Sequence, residues 1–123
     1  YAQQTIEAGQ MIIEYVGEGI RQNVADLREK WYDAHGIGCY MFRLSANEII
    51  DATKRGGMAR FINHSCAPNA YTQQIVVDGP RIVIIALKQI PKGCEVTYDY
   101  MLPFEEDKIK CMCGTPACRG FMN

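Results

Sequence analysis

The sequence lacks several features that define common classes of protein. No apolar run approaches the ~20 residues of a membrane-spanning helix, and no signal peptide is visible. There is no excess of basic residues. The formal net charge of -1 argues against a duplex-DNA binder that works by bulk electrostatics. A glycine-rich nucleotide-binding fingerprint and internal repeats are also missing, so a doubly wound nucleotide-binding sheet is not expected.

The composition is typical of one globular domain with its own hydrophobic core. The chain has 123 residues, of which 48% are hydrophobic and 22% charged. These values are typical of a globular domain and exclude a disordered tail. Because the chain opens in the middle of a pattern at Tyr1, we expect it to be a fragment, and the lack of a targeting segment then carries little weight.

Short apolar runs separated by turn residues predict a mainly β fold with short helices. We expect strands over 10–16, 39–44, 48–51, 71–77, 81–87 and 95–98. Apolar residues at helical spacing predict a helix over 22–34, with Asn23 as candidate N-cap, and a shorter helix over 54–63. The pair Asp78-Gly79 predicts a hairpin, and the almost continuously apolar run 81–87 is expected to be buried on both faces.

The cysteines are unevenly placed, and half of them lie near the end of the chain. Cys111, Cys113 and Cys118 form a C-x-C-x4-C pattern within a short turn. Tetrahedral zinc needs four ligands, and Cys66 is the natural candidate for the fourth because it lies in another unusual loop. The alternative is that these thiols are simply buried or linked by disulfides.

The two remaining cysteines have a different setting. Cys39 and Cys94 lie in apolar strand contexts, and we interpret both as core residues.

A second unusual feature is the polar segment 60–69, RFINHSCAPN, which lies between apolar strands. Such a run costs stability unless its groups are hydrogen-bonded or used. An Asx-rich loop that satisfies its own hydrogen bonds is the simplest alternative. A nucleophilic pair of Ser65 and His64 is poorly supported, because adjacent side chains rarely face one another.

Three tyrosines form the last candidate constellation. Tyr98 and Tyr100 lie at i and i+2, which places both on one face of a strand, and Tyr40 lies on a separate short strand. They could be ordinary half-buried residues with hydroxyls at the surface. Alternatively, converging tyrosines could line a narrow aromatic channel for a cationic or alkylammonium group.

Taken in order, these motifs resemble a known family. RFINHSCxPN at 60–69, YDY at 98–100 and C-x-C-x4-C-R-x-F at the end resemble a SET domain with its post-SET segment, and the resemblance covers the whole chain. SET domains are S-adenosylmethionine-dependent protein lysine methyltransferases. The glycine-rich stretch 36–42 and the ending 121–123 resemble the trithorax/mixed-lineage-leukaemia branch, which methylates lysine 4 of histone H3.

The resemblance implies a particular architecture. The SET fold consists of small curved β-sheets, in which the segment 60–69 and the chain around 98–100 cross in a knot-like arrangement near the active site. We expect a SET domain over 1–104 and a post-SET zinc-binding tail over 105–123. The family's Gly-x-Gly cofactor segment is expected just before Tyr1. The region 22–44 corresponds to the variable insert, which helps form the peptide groove and is ordered by adaptor subunits in this branch.

The resemblance also implies roles for individual residues. Tyr100 corresponds to the catalytic tyrosine that orients the amine and the transferring methyl, Tyr40 lines the other side of the channel, and Tyr98 limits how many methyls fit. The residues implied to hold S-adenosylmethionine are Tyr1, Arg60, Asn63, His64, Tyr100 and Phe121. One structural zinc is implied, with Cys66, Cys111, Cys113 and Cys118 as ligands.

The expected partners are a histone H3 tail peptide and adaptor subunits of a trithorax-type complex, in the nucleus and on chromatin. Neither sequence-specific nucleic-acid binding nor a membrane is expected. The acidic run 105–107 could steer a basic tail, although a solvated surface loop is the simpler interpretation. The alternatives are a methyltransferase for a non-histone substrate, a non-catalytic SET binding module, and a zinc-binding domain without cofactor.

Overall fold

A computed structural model describes residues 1–102 and 106–123. The described chain contains eight strands, one α-helix and one 3-10 helix. In chain order these are β1 (Met11–Tyr15), β2 (Glu18–Arg21), α1 (Gln22–Ala34), β3 (Met41–Arg43), β4 (Glu48–Asp51), the 3-10 helix (Met58–Phe61), β5 (Asn63–His64), β6 (Ala70–Val76), β7 (Pro80–Ala86) and β8 (Thr97–Tyr98). The mainly β fold is confirmed. No helix in the described part of the chain is long and apolar enough to span a membrane.

The strands form three small sheets. Their orders are β1-β7-β6, β2-β4-β3 and β5-β8. β4 is antiparallel to both of its neighbours, whereas β5 and β8 are parallel, with Asn63 opposite Thr97 and His64 opposite Tyr98. The β5-β8 pair brings the polar segment and the YDY segment side by side. The knot-like crossing itself stays a prediction.

The helix and the hairpin agree with the sequence. α1 has the predicted bounds, and β6 and β7 are joined through Asp78 and Gly79, whose φ values of 55° and 106° fall in the left-handed region. Ile82, Val83 and Ile84 are buried, which confirms the prediction for the middle of β7. Leu87 is exposed, because it lies beyond the end of the strand.

Several local expectations are wrong. The N-cap of α1 is Arg21, without a side-chain cap, and Asn23 lies inside the helix, where its Oδ1 accepts the N–H of Val24. The predicted helix over 54–63 reduces to the single turn Met58–Phe61. At Gly56 the backbone packs so closely that a Cβ would lie 2.7 Å from the carbonyl oxygen of Ala52. This close approach requires glycine and replaces the expected first helical turn.

Two further departures concern strands and cysteines. β2 and β5 were not predicted, because both are short and lack the apolar alternation of a half-buried strand. Cys39 and Cys94 are exposed, so their interpretation as core residues is wrong. Cys94 is held by its backbone, since its carbonyl accepts the N–H of Ala2 at 2.8 Å, and its side chain is not needed for packing.

The chain divides into two compact units. The first comprises residues 1–12, 62–73 and 84–123. Its amino-terminal stretch is tied to the residues before β8, since Ile6 donates its N–H to the carbonyl of Ile90 at 2.9 Å. The buried apolar residues of this unit are Ala2, Ile6, Ala70, Ile84, Ala86, Ile90, Val96, Tyr98 and Cys111.

The second unit comprises residues 13–61 and 74–83. A buried carboxylate in this unit is hydrogen-bonded to side chains of α1. Asp51 is 2% exposed and accepts hydrogen bonds from Tyr32 Oη at 2.7 Å, Arg28 at 3.1 Å and the N–H of Thr53 at 3.0 Å. Arg28 also pairs with Glu18. Burial alone would raise the pKa of Asp51, but these hydrogen bonds outweigh it and hold that pKa below its usual value.

The same arrangement decides which face of α1 is buried. Ala25 and Tyr32 are buried against the unit, whereas Val24, Leu27 and Trp31 remain exposed, Leu27 to 69%. The apolar spacing that predicted the helix therefore belongs to its outer face.

Candidate active site and metal centre

The polar segment of the first unit is ordered by its pairing with β8. The backbone N–H of Ser65 donates to the carbonyl of Tyr98 at 3.1 Å, which continues the β5-β8 ladder. Asn69 extends the contact further along the chain: its side-chain oxygen accepts the N–H of Thr97 at 2.9 Å, and its Nδ2 donates to the carbonyl of Glu95 at 2.8 Å. The segment therefore satisfies its polar groups largely against residues 95–98 rather than within its own loop.

His64 lies buried at the centre of this contact. Its Nδ1 accepts the backbone N–H of Tyr100 at 3.1 Å, and its Nε2 lies 3.5 Å from the Sγ of Cys66. A ring that accepts at Nδ1 carries its proton on Nε2, so it can donate to the sulfur. Both ring nitrogens are thus occupied, and a nucleophilic role with Ser65 has no geometric support.

The two tyrosines of the YDY segment lie close to each other. The ring centroids of Tyr98 and Tyr100 are 5.0 Å apart, and Tyr98 is buried. The hydroxyl of Tyr100 donates to the carbonyl of Ile62 at 2.5 Å, and its ring meets that of His64 edge-on at 5.2 Å. These contacts position the Tyr100 side chain from both ends.

In the second unit, Tyr40 lies beside Phe61 and Arg60. The rings of Tyr40 and Phe61 meet edge-on at 5.7 Å, and the Arg60 guanidinium lies 4.7 Å from the Phe61 ring centroid. Arg60 donates to the carbonyl of Ala52 at 2.8 Å, but its buried Nε has no hydrogen-bond partner among the described residues. A buried donor of this kind is available to an acceptor from outside the chain.

The other residues implied in cofactor binding are more open. Asn63 is exposed and donates from Nδ2 to Glu95 at 2.7 Å. Tyr1 is 86% exposed, and Phe121 is exposed while its backbone forms a bridge with Lys110. Among the six residues that the family resemblance assigns to the cofactor, His64 and Tyr100 are hydrogen-bonded to each other. Tyr1, Asn63 and Phe121 instead have exposed side chains.

Four cysteines come together in the first unit. The Sγ atoms of Cys66, Cys111, Cys113 and Cys118 all lie within 4.8 Å of one another, and those of Cys66 and Cys111 are 3.7 Å apart. Zinc–sulfur bonds of ~2.3 Å in a tetrahedron place the sulfurs about 3.8 Å apart, so this cluster has the dimensions of a metal site. None of the four thiols forms a disulfide in this structure, so the cluster offers four separate sulfur ligands.

Hydrogen-bond donors surround the sulfurs. The backbone N–H of Arg119 points to Cys66 and that of Gly120 to Cys118, each at 3.4 Å. A hydrogen bond from the backbone of Cys66, together with the hydroxyl and backbone of Thr115, lowers the pKa of Cys113 to about 5. These contacts favour the thiolate of Cys113, the form that binds metal, whereas the pKa of Cys111 is raised.

An ion pair that was not predicted from the sequence links the tail to the YDY segment. The Arg119 guanidinium donates to Asp99 Oδ1 at 3.2 Å, and the same carboxylate oxygen accepts the N–H of Met101 at 2.9 Å. The available signals were the position of Asp99 between two tyrosines and of Arg119 directly after the last cysteine. Part of the acidic run, Glu105, lies outside the described residues, while Glu106 and Asp107 are exposed.

The chain is similar to known proteins of one family. A family model described as SET domain matches residues 1–101. The chain is 52% identical over 124 residues to "Histone-lysine N-methyltransferase trithorax" of Drosophila virilis, which covers 100% of the chain and 3% of that relative. It is 56% identical over 128 residues to "Histone-lysine N-methyltransferase, H3 lysine-4 specific" of Aspergillus oryzae, covering 100% and 10% respectively.

A third relative, "Histone-lysine N-methyltransferase, H3 lysine-4 specific" of Schizosaccharomyces pombe, is 55% identical over 125 residues, which cover 100% of the chain and 14% of the relative. The chain thus spans only 3% to 14% of the length of these three curated relatives. Since the SET domain model matches most of the described residues and the identities extend over the whole chain, this chain belongs to the SET-domain family.

Proposed function

We propose that this chain is the catalytic domain of an S-adenosylmethionine-dependent protein lysine methyltransferase that acts on lysine 4 of histone H3. The observation that carries the proposal is the junction of β5 with β8, where Tyr98 and Tyr100 lie against His64, close to the cysteine cluster. Relatives named as histone H3 lysine-4 specific methyltransferases share 55–56% identity over the whole chain.

In this proposal Tyr100 orients the substrate amine. Its hydroxyl donates to the carbonyl of Ile62, and this hydrogen bond fixes the direction of the phenol group towards which the amine is brought. The amine must be neutral to attack, although the usual lysine pKa is about 10.4. An aromatic, water-poor environment beside Tyr98 and Tyr100 lowers that pKa by disfavouring the ammonium form.

The side chains assigned to the cofactor are consistent with its chemistry. S-adenosylmethionine, when bound, supplies a positively charged sulfonium whose methyl is transferred to the amine. The exposed aromatic faces of Tyr1 and Phe121 can stack on an adenine, and the exposed Asn63 amide and the orphaned Arg60 Nε can bond polar groups. His64 contributes through its backbone, because its ring is already used.

We further propose that the four-cysteine cluster holds one structural zinc. Four thiolates close the coordination shell, so no open position remains for an activated water. Its function is to hold the post-SET tail, residues 105–123, against the SET domain, residues 1–104.

The proposed partners are the H3 tail and adaptor subunits in a nuclear, chromatin-bound complex. The exposed apolar face of α1, formed by Val24, Leu27 and Trp31, favours an adaptor surface, because apolar side chains this exposed on one helix face are typical of interaction sites. A groove beside the same helix is lined in part by Ile20 and Leu44.

Methyl transfer from labelled S-adenosylmethionine tests the proposal. The zinc-loaded protein is assayed on histone H3 and on histone H3 with lysine 4 replaced by alanine, each with and without adaptors. We expect transfer to the first substrate only. Equal transfer to both would leave a lysine methyltransferase with another target, and cofactor and peptide binding without transfer would indicate a non-catalytic SET module.

A further inference from the structure

The residue Arg119 connects the cysteine cluster to the catalytic segment through two different groups. Its backbone N–H points to Cys66 Sγ at 3.4 Å, and its guanidinium donates to Asp99 Oδ1 at 3.2 Å. Asp99 is the residue between Tyr98 and Tyr100. A single residue of the tail therefore contacts both a metal-site sulfur and the centre of the YDY segment.

The carboxylate that Arg119 contacts is also the one that shapes the end of this segment. Asp99 Oδ1 accepts the N–H of Met101 at 2.9 Å, and Met101 has a φ of 52°, in the left-handed region. A non-glycine residue with such a φ is uncommon, because the Cβ crowds the backbone in this conformation. Tyr100 lies between Asp99 and Met101, the two residues that this hydrogen bond joins. The direction of the Tyr100 backbone therefore depends on where the Asp99 side chain is held.

A second connection reaches the same place. His64 lies between Cys66 and the backbone N–H of Tyr100, with contacts of 3.5 Å and 3.1 Å. The Tyr100 backbone is thus held directly by His64 and indirectly, through Asp99, by Arg119. Both arms begin at Cys66, the cluster cysteine that lies outside the tail.

We propose that Arg119 is a positioning residue for methyl transfer, which holds Asp99 so that the metal-bound tail sets the orientation of Tyr100. This inference rests on the proposed function for its kinetic consequence. The residue does not touch the reacting atoms in this proposal; it acts on kcat through Asp99 and leaves the binding of zinc to the four cysteines.

The expected size of the effect follows from the exposure of the pair. The Arg119 side chain is 52% exposed and that of Asp99 24%, so water screens the pair and its contribution is small. Loss of the pair should therefore change the measured rate by about two- to fivefold rather than abolish it. A merely structural role of the tail would instead alter metal content.

The test compares Arg119→Ala with Lys110→Ala in the zinc-loaded protein. Lys110 is an exposed residue of the same tail, so its substitution removes an equal charge without affecting the Asp99 contact. For Arg119→Ala we expect kcat to fall about two- to fivefold, with zinc content and the KM for S-adenosylmethionine unchanged. Arg119→Lys, which keeps the charge, should recover part of the loss, and Lys110→Ala should resemble the wild type.

A readout that does not depend on activity separates this inference from the proposed function. Hydrogen–deuterium exchange of the peptide covering residues 98–102 should be about two- to fivefold faster in Arg119→Ala than in Lys110→Ala. If the wild type fails to methylate any lysine, the proposed function fails, while the exchange rates still decide whether Arg119 holds the segment.

A double-mutant cycle with Asp99→Asn completes the design. Asparagine keeps an oxygen for the Met101 N–H but removes the charge that Arg119 contacts. If the two residues act as a pair, adding Arg119→Ala to Asp99→Asn should cause no further change in exchange or kcat. The proposal would be overturned if the double variant showed the product of the two single-variant effects. Unchanged exchange in Arg119→Ala, or loss of zinc in that variant alone, would also overturn it.

Discussion

The backbone N–H of Tyr100 donates to Nδ1 of His64 at 3.1 Å, across a separation of 36 residues in the chain. This bond fixes the tautomer of the imidazole and leaves its Nε2–H directed at the Cys66 sulfur, 3.5 Å away. The histidine of the NHSC motif is therefore used through its ring as a link within the protein, and only its backbone remains for a cofactor.

Replacement of His64 tests this link. His64→Phe keeps a buried ring but removes the acceptor, so the Tyr100 N–H loses its partner and the protein should lose about 1–3 kcal/mol of unfolding free energy. His64→Asn, whose Oδ1 can stand in for Nδ1, should lose less. Urea denaturation of the zinc-loaded variants measures the difference, and equal losses in both would show that the Tyr100 bond is not the stabilising contact.

Product multiplicity tests the assignment of Tyr98. We expect the wild-type domain without partners to stop mostly at monomethyllysine, because a hydroxyl at this position bonds the amine or a held water and takes up space. Tyr98→Phe removes that group, a change worth about 1 kcal/mol with a spread of roughly half that, so the second and third methylations should each rise by up to roughly tenfold while monomethylation stays within an order of magnitude. Tyr100→Phe should suppress every step.

Mass spectrometry of the product peptide over time measures these ratios. Tyr71→Phe is the matched control, because it removes a tyrosine hydroxyl from β6, a strand that belongs to a different sheet from β8. An unchanged product ratio in Tyr98→Phe, or rapid trimethylation by the wild type alone, would show that Tyr98 does not limit the number of methyls.

The metal site is tested by substituting one of its ligands and, as a control, one exposed cysteine outside it. Cys118→Ser should lower the zinc content, loosen residues 106–123 to proteolysis and weaken cofactor binding more than it lowers the stability of the core. Cys94→Ser changes an exposed cysteine outside the cluster and should leave zinc at the wild-type level. Elemental analysis of protein purified without chelator provides the measurement. Wild-type protein without zinc would contradict the assignment.

The buried carboxylate of the second unit makes stability depend on pH. Because the pKa of Asp51 is lowered in the folded protein, its ionised form contributes stability that is fully present above the unfolded pKa of about 3.9 and is lost as the pH falls through the lower folded value. Tyr32→Phe removes one of the bonds to this carboxylate and should cost about 1 kcal/mol at pH 7.

Asp51→Asn provides the comparison for the pH dependence. The difference in unfolding free energy between wild type and this variant should be large at pH 7 and should shrink as the pH is lowered below about 4. Urea unfolding at a series of pH values measures it. A difference that stays constant down to pH 2 would mean that the charge of Asp51 does not stabilise the fold.

Local features of this fold follow directly from the sequence. The apolar spacing predicted α1 with its observed bounds, and Asp78-Gly79 predicted the hairpin, because both depend on residues that are neighbours in the chain. The C-x-C-x4-C pattern likewise predicted that three thiols would gather in one turn, because only a few residues separate them in the chain. The family resemblance rested on the same local motifs.

The tertiary structure decided which residues that are distant in the chain come into contact. Cys66 meets Cys111 across 45 residues, and Arg119 meets Asp99 across 20, through packing that no local pattern encodes. The exposure of Cys39 and Cys94 and the outward-facing apolar side of α1 have the same origin. An apolar residue in a short segment is buried only where another element covers it, and which element does so is settled by the fold as a whole.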